Sequence, residues 1–237
     1  MRINIGDKNK FSETIKEIFG LYISADKLNG VSIDSRNIQN GDVFIALKGC
    51  NVDSHDFINL EMESLASLII NERKNFKNVI KVDSSKKMLG KIAMKYREKM
   101  KCKIVGITGS NGKTTTKEIL YHILKDEYSI SMTPGNYNST IGMPMSFFTI
   151  STSNDIFIAE MGTNSIGEIK YLAQIAKPDF GLITNISEAH MQNFNSINDI
   201  YNEKIELLKS LKEDGMAFIN MDDVYISSTT LPSNVKV

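Results

Sequence analysis

A β-branched run that enters a glycine-rich turn and then opens a helix constrains this chain more than any other segment. Residues 104–116 read Ile-Val-Gly-Ile-Thr-Gly-Ser-Asn-Gly-Lys-Thr-Thr-Thr. The apolar residues at its start are typical of a buried strand, and apolar residues return at helical spacing between Ile119 and Leu124. The pattern therefore predicts a strand, a tight turn and a helix in direct succession.

The residue types in this turn suit a triphosphate. Gly109 and Gly112 permit close approach of the backbone, and amides at the N-terminus of the following helix point at anionic oxygens. Lys113 is placed to reach the β- and γ-phosphates, and Thr114 to hold Mg²⁺. Ile107 stands where the general phosphate-loop pattern has Gly, so the match is to the shorter Thr-Gly-x-x-Gly-Lys-Thr form, and an ordinary turn is the alternative. The predicted nucleotide-binding loop comprises Thr108, Gly109, Ser110, Asn111, Gly112, Lys113, Thr114 and Thr115.

Composition indicates a globular chain that acts on small molecules. Its 237 residues are 41% hydrophobic, enough for one large domain or two modest ones. Lys and Arg number 28, as do Asp and Glu, so no net field favours nucleic acid or an anionic membrane. The amino-terminal residues lack the apolar core of a signal peptide, and no apolar run approaches the length of a membrane span. We expect a cytoplasmic location and a monomer, with no nucleic acid as partner.

The chain has two cysteines, Cys50 and Cys102. They are too few and too far apart in sequence for a disulfide framework or a cysteine-based zinc site. We expect both to be buried free thiols.

Elements alternate along the chain, and this predicts an α/β fold in two parts. We expect a small amino-terminal α/β domain over residues 1–83, a connecting helix over 84–102, and a central domain over 103–237 with a mostly parallel sheet. The first domain is predicted to have helices at 12–19 and 57–67, with strands at 31–33, 43–47, 68–70 and 79–82. In the second, strands at 103–108, 128–132, 156–161, 180–184 and 216–220 alternate with helices at 113–126, 142–150, 166–176 and 196–212.

Ligands of such a sheet collect at the carboxyl ends of its strands, where four places carry polar residues. The loop after the second strand supplies Asn136 and Asn138 as amide ligands for phosphate or metal, with a plain loop as the alternative. Glu160 closes an apolar strand, where a carboxylate is costly to bury unless it meets a cation such as Mg²⁺. His190 follows the next strand, and its position favours a ligand over a structural histidine. Lys204 lies on an amphipathic helix, where a solvated surface lysine is the default interpretation.

These segments, in their order along the chain, resemble the motifs of the Mur ligase family. The amino-terminal part agrees, because it resembles the family's substrate-binding domain, which holds the UDP-sugar. That resemblance implies substrate contacts from Ser32, Asp34, Ser35, Arg36, Lys48, Gly49 and His55. The matching motifs are Val31-Ser-Ile-Asp-Ser-Arg36, Gly41 to Gly49, His55-Asp-Phe57, Thr108 to Glu118, Gly135-Asn-Tyr-Asn138, Ile141 to Pro144, Glu160-Met-Gly162, Gly167 to Ile169, Lys177-Pro-Asp179, Thr184-Asn-Ile186, Ala189-His190 and Glu203-Lys-Ile-Glu206.

The resemblance implies ATP-driven formation of an amide bond. The motifs are most similar to those of members that join D-alanyl-D-alanine to a UDP-muramoyl tripeptide through an acyl phosphate. By resemblance, Lys113 neutralises the transferred phosphoryl group, while Thr114 and Glu160 hold Mg²⁺. Asn136, or with less support Asn138, contacts the γ-phosphate. His190 and Lys204 serve a second Mg²⁺, Lys204 as a carbamate formed with CO₂, and the catalytic residues are Lys113, His190 and Lys204.

Further expectations follow from the third, carboxyl-terminal domain of the family, which helps bind ATP and brings the incoming amine. We expect that domain to be absent from this sequence and the central domain to be incomplete, so that residues 224–237 pack poorly and the chain alone does not turn over. A noncatalytic protein that binds UDP-sugar or nucleotide is therefore one alternative. A sibling ligase, adding the third peptide residue or glutamates to folate, is another.

Overall fold

Two five-stranded sheets organise the chain, each within its own unit. The computed structural model describes residues 1–73, 78–188, 192–233 and 235–237. One unit comprises Met1–Met100 with Phe147–Thr152, and the other comprises Lys101–Ser146 with Ser153–Val237. The predicted α/β class is confirmed.

The sheet of the first unit is parallel except at one edge. Its strands, in spatial order, are β1 (Arg2–Asn4), β2 (Gly30–Ser32), β3 (Val43–Ile45), β4 (Leu68–Asn71) and β5 (Val79–Lys81). The prediction missed β1, which pairs antiparallel with β2, whereas the other neighbours are parallel. The helices of this unit are α1 (Lys8–Phe19), α2 (Leu60–Leu65) and α3 (Ser85–Glu98), with 3-10 turns at Ala25–Lys27, Ser35–Asn37 and Ser54–Phe57.

The helix that we predicted as a connector lies within the first unit. Tyr96 of α3 is fully buried and packs edge-to-face against Phe11 and Phe148, with ring centroids 5.8 and 5.9 Å away. Its hydroxyl donates to the carbonyl of Ile150 at 2.6 Å. Residues 147–152 therefore also belong to this unit, unlike the predicted boundary near residue 103, because their aromatic and backbone partners lie there.

The second sheet is entirely parallel, with spatial order β10-β9-β6-β8-β7. The alternation of strands and helices predicted this arrangement, because a parallel pair needs a crossover connection. Its strands are β6 (Lys103–Thr108), β7 (Ile130–Met132), β8 (Ile156–Glu160), β9 (Phe180–Ile183) and β10 (Met216–Phe218), and its helices are α4 (Lys113–Leu124), α5 (Gly142–Phe147), α6 (Glu168–Ala176), α7 (Ile197–Lys209) and α8 (Val224–Ser227).

Helices cover both faces of the central strand β6. Val105 and Ile107 belong to a cluster with Leu120 of α4. At Gly106, between them, a side chain would lie on the opposite face of the sheet, where its Cβ atom would be 2.7 Å from Leu207 of α7. Only Lys117 of α4 is fully buried, and Ile119 is 54% exposed, so this helix lies more openly on the sheet than its apolar pattern predicts.

One prediction about packing was wrong, and a second was wrong only in part, since Val224 and Val237 are 75% and 80% exposed. Cys102 is buried, but Cys50 is exposed, because it lies in the loop that follows β3. Near the carboxyl end, Ile226 of α8 is fully buried, and Val235 is 9% exposed. Asp223 explains this order, because its carboxylate caps α8 at the amide of Ile226.

Within the described residues, we find no helix whose length and apolar character would let it cross a membrane.

Candidate functional site

The carboxyl ends of β6, β8 and β9 meet at one edge of the second sheet. Ile107 pairs in register with Glu160, and Thr108 pairs with Ile183. The glycine-rich loop of residues 109–112, called the phosphate loop below, leaves β6 at this edge and leads into α4. Parallel pairing thus places Glu160 beside the phosphate loop.

Two glycines of the phosphate loop have conformations that other residues rarely adopt. Gly112 has a φ of 79° immediately before α4, and Gly109 has a φ of 148°. A Cβ atom on Gly109 would lie 1.9 Å from the hydroxyl oxygen of Thr184. The backbone of the loop therefore requires both glycines.

The segment after β9 holds the tip of the phosphate loop, a contact that the sequence prediction missed. The amide of Ser110 donates to the carbonyl of Asn185 at 2.9 Å, and the amide of Asn111 donates to the Asn185 side chain at 3.1 Å. The hydroxyl of Ser110 donates to the carbonyl of Ser187 at 2.8 Å. Because these two amides already have acceptors, the donors best placed for an anion are those of the first turn of α4, from Gly112 to Thr115.

Lys113, the first residue of α4, curls back over the phosphate loop. Its Nζ donates to the carbonyls of Gly109 and Ser110 at 2.7 and 3.1 Å. Burial lowers the pKa of Lys113, and the nearby charge of Glu160 opposes this shift. The lysine is half-buried, not exposed, and it shares its surroundings with Glu160.

Glu160 is fully buried, and its two carboxylate oxygens have different partners. Oε1 accepts from the hydroxyl of Thr114 at 3.0 Å and from the side-chain amide of Asn138 at 2.7 Å. Oε2 lies 3.2 Å from Nζ of Lys117 but has no hydrogen-bond donor. Because Oε2 faces the Lys117 ammonium, the oxygen at which a cation could bind together with Thr114 is Oε1.

The distances at Glu160 fit Mg²⁺. Adjacent ligands of an octahedral Mg²⁺ ion are about 2.9 Å apart, given metal-to-oxygen distances of roughly 2.0–2.1 Å. The oxygens of Thr114 and Glu160 are 3.0 Å apart. Across the described ranges there is no group of three or more His, Cys, Asp or Glu side chains that could enclose a metal. Mg²⁺ does not need one, because it is usually held by one or two carboxylates together with phosphates and water.

Of the two candidate asparagines, Asn138 is the one beside the carboxylate. The side chain of Asn136 is exposed, and its carbonyl accepts from the amide of Asn138 at 2.8 Å. The expected contact of Asn136 with the γ-phosphate rests on resemblance and stays a prediction, while Asn138 is the asparagine in contact with Glu160.

Lys204 is not the solvated lysine that its helix suggested, since it is only 2% exposed. Burial, and then the charge of Lys113, lower its pKa to about 8, while Glu203 opposes the shift. Glu203 also fixes α7, because its carboxylate accepts from the amides of Gly167 and Ile169 at 2.6 and 2.7 Å. His190 lies outside the described residues.

In the first unit, the predicted substrate residues lie in loops after two neighbouring parallel strands. Ser32 ends β2, and its hydroxyl donates to the carbonyl of Asp34 at 3.0 Å. The side chain of Arg36 is 84% exposed, and its hydrogen bonds hold the pKa of Asp34 well below the usual range. Ser35 begins the intervening 3-10 turn. The first loop thus presents an exposed guanidinium on a fixed turn.

The second loop follows β3 and contains Lys48, Gly49 and His55. The amide of Gly49 donates to the carbonyl of Val52 at 2.8 Å, and the backbones of Lys48 and Asp53 pair in an isolated antiparallel β-bridge. His55 is 1% exposed, with Nδ1 2.6 Å from Asp53 and Nε2 buried without a hydrogen-bond partner. The structure thus gathers the predicted residues at one sheet edge, although the His55 ring lies beneath its surface.

Comparisons with known proteins agree with this architecture. Residues 107–236 match the Mur ligase middle domain, and residues 27–97 match the Mur ligase family catalytic domain. The UDP-N-acetylmuramoyl-tripeptide--D-alanyl-D-alanine ligase of Bacillus subtilis is 34% identical over 212 residues, which is 87% of this chain and 45% of that ligase. The ligase of the same name from Rickettsia prowazekii is 36% identical over 214 residues, 88% of this chain and 47% of that protein.

Solved structures give the same result. MurF from Acinetobacter baumannii superposes with a TM-score of 0.82 at 27% identity, over 91% of this chain and 49% of that one. MurF ligase from Thermotoga maritima, solved in complex with ADP, has a TM-score of 0.81 at 36% identity, over 87% of this chain and 48% of that one. The chain spans about half the length of the curated relatives that it matches. Because more than half of the residues of this chain match the Mur ligase middle domain, the chain belongs to the Mur ligase family.

Proposed function

We propose that the second unit binds ATP with Mg²⁺ and positions its γ-phosphate for transfer to a carboxylate. The observation that carries this proposal is the pair formed by Thr114 and Glu160, 3.0 Å apart, beside the start of α4. Free amides of a helix N-terminus suit phosphate oxygens, and Lys113 adds a positive charge at the same place. The ADP complex of the Thermotoga maritima ligase supports this proposal.

The proposed reaction joins D-alanyl-D-alanine to a UDP-N-acetylmuramoyl tripeptide, as the names of the relatives state for those proteins. The terminal carboxylate of the tripeptide attacks the γ-phosphorus, and ADP leaves. The amine of the dipeptide then attacks the acyl carbon, loses a proton, and releases phosphate. The UDP end of the tripeptide would bind at the two loops of the first unit that carry Arg36 and Lys48.

The residues of the second unit act mainly by orientation and charge. Amides of residues 112–115 would bind phosphate oxygens, and Lys113 would leave the carbonyls of the phosphate loop to neutralise charge on the transferred group. When bound, Mg²⁺ would supply further charge neutralisation at the phosphates. Thr114 and Glu160 would hold it, and Asn138, with Asn136 from the same loop, would keep the carboxylate and the phosphate in place.

Lys204 is proposed to serve a second Mg²⁺ together with His190, as a carbamate. The neutral amine attacks CO₂, a nitrogen-to-carbon bond forms, and a proton leaves to solvent. The burial of Lys204 and its pKa of about 8 favour the neutral amine that this step needs. Mass spectrometry of the native protein in bicarbonate buffer tests the assignment: added CO₂ on Lys204 supports it, and an unmodified Lys204 at every bicarbonate concentration contradicts it.

Binding and ligation should be measured separately. Calorimetry with ATP, and with UDP-muramoyl tripeptide, should show that the chain binds both ligands. Phosphate release that depends on D-alanyl-D-alanine should then appear when the remaining half of a relative is supplied. Binding without ligation under these conditions would favour the noncatalytic alternative, and absence of ATP binding would overturn the proposed nucleotide site.

A further inference from the structure

Lys117 is a buried cation that the ATP reaction described above does not use. Its side chain is fully buried, and it lies one turn after Lys113 on α4. Its Nζ donates to the carbonyl of Thr133 at 2.9 Å and to the carbonyl of Gly135 at 2.8 Å. The same nitrogen lies 3.2 Å from Oε2 of Glu160. One ammonium group therefore joins the helix, the loop after β7 and the end of β8.

The contacts of Lys117 constrain the carboxylate of Glu160. With Oε2 held toward Lys117, Oε1 faces the hydroxyl of Thr114. The carbonyl contacts fix the start of the loop that brings Asn138 to the same oxygen, at 2.7 Å. Lys117 thus contacts both the carboxylate and the loop that carries its amide donor.

A buried lysine in this position needs an explanation beyond packing. Removing an ammonium from water is costly, and an apolar side chain of similar length would fill the same volume. Partners that orient a metal ligand commonly affect metal binding almost as strongly as the ligand does. Besides the partly exposed carboxylate of Glu118 at 3.6 Å, the acceptors around Lys117 are two carbonyls of the 133–138 loop and the carboxylate of Glu160, so they belong to the segments that carry Asn138 and the proposed metal ligand.

We propose that Lys117 is a positioning residue that holds Glu160 and the 133–138 loop in the orientation needed for Mg²⁺-dependent nucleotide binding. This inference rests on the proposed function of the same site. In this role Lys117 makes no contact with the nucleotide.

The test compares ATP affinity with and without Mg²⁺ in the native chain and in Lys117→Met. The measured quantity is the ratio of the dissociation constant in EDTA to that in Mg²⁺, by calorimetry. Methionine keeps an unbranched side chain of similar volume but removes the charge and all three contacts. We expect the ratio to fall by about ten- to a hundredfold, the range typical of lost support around a metal ligand.

Lys212→Met is the matched control. Lys212 donates to the carboxylate of Asp179 at 3.0 Å, so this change also removes an ammonium from a buried carboxylate in the same unit. It should leave the metal-dependent ratio at its native value even if it lowers the melting temperature. A purely structural role for Lys117 would instead make both variants alike, with lower melting temperatures and native ratios.

Each outcome decides a specific point. No ATP binding by the native chain would overturn the proposed function itself. Native binding with an unchanged ratio in a folded Lys117→Met would overturn the positioning role alone. Should the methionine variant not fold, Lys117→Gln, which retains a donor, replaces it and should still lose at least about threefold of the ratio. If neither variant folds, Lys117 belongs to the folding core and the proposal fails.

Discussion

Two buried carboxylates lie at opposite ends of the second sheet, and their surroundings differ in one important respect. Asp179 precedes β9 at the amino edge, and Glu160 ends β8 at the carboxyl edge. Both oxygens of Asp179 accept hydrogen bonds: Oδ1 from Lys103 at 3.1 Å, and Oδ2 from the amide of Ile104 at 2.9 Å and from Lys212 at 3.0 Å. Glu160 has one oxygen with two hydrogen-bond donors, and its other oxygen has no hydrogen bond but lies 3.2 Å from the Lys117 ammonium.

This difference separates a structural carboxylate from one able to bind a cation. Asp179 ties the starts of strands to a following loop, and both of its oxygens accept hydrogen bonds. Glu160 is buried more deeply, and its Oε1 lies 3.0 Å from the Thr114 hydroxyl in the first turn of a helix, where phosphate would bind. A carboxylate at a strand end is therefore informative only when the edge of the sheet and its hydrogen bonds are known.

The largest expected effect comes from exchanging each carboxylate for its amide. Glu160→Gln should weaken Mg²⁺-dependent ATP binding on the order of a hundredfold, since a negative oxygen ligand is lost. Asp179→Asn should leave that binding at the native level. Calorimetric titration of ATP in Mg²⁺ compares the two variants. Equal losses in both would remove the functional distinction between the two ends of the sheet.

Asp179→Asn, which should leave ATP binding unchanged, should instead affect the stability of the fold. Asp179→Asn should lower the free energy of unfolding by about 1–2 kcal/mol, because it weakens charge-assisted bonds with partly exposed lysines while an oxygen remains for the amide of Ile104. Urea denaturation monitored by circular dichroism measures this change. A variant as stable as the native chain would show that the network at Asp179 contributes nothing.

The smallest effect is a change in the acid limb of stability. Burial alone would raise the pKa of Asp179, but the hydrogen bond from Ile104 and the pairs with Lys212 and Lys103 bring it below its usual value of 3.8. A carboxylate with a lowered folded-state pKa stabilises the fold above the unfolded-state pKa, and this contribution disappears as pH falls through the folded-state pKa.

The free energies of unfolding of the native chain and Asp179→Asn should therefore converge as pH drops below about 4. Urea titrations at several pH values between neutrality and this limit measure the convergence. A difference that stays constant over the whole range would mean that the charge of Asp179 has no part in the stability.

Periodic segments were predictable from the sequence because their burial pattern is local. The strands β6, β8 and β9, with the helices between them, follow the alternation of apolar and polar runs. The strand β1 was missed because it has three residues and exists only through antiparallel pairing with β2. The expected poor packing of residues 224–237 fails at Ile226 and Val235, which are buried, because their burial depends on contacts elsewhere in the unit that the local sequence does not reveal.

The candidate site was predictable in its chemical groups but not in its supports. The phosphate loop and Glu160 follow from residue type at the end of a strand. Lys117 was not predicted as part of the site, because a lysine on a helix is usually solvated and its burial depends on the loop after β7. Asn185, likewise, is a loop residue whose contact with Asn111 becomes visible only once β6 and β9 are paired.

Binding of ATP to Lys113→Ala tests the central claim most directly. We expect the native chain to bind ATP in the presence of Mg²⁺ and the variant to bind at least about tenfold more weakly, because the Lys113 ammonium that would neutralise charge on the γ-phosphate is lost. The melting temperature should remain close to that of the native chain, since Lys113 is only half-buried and its hydrogen bonds go to carbonyls within the phosphate loop itself. Native affinity for ATP in a folded Lys113→Ala would contradict the assignment of this sheet edge as the nucleotide site.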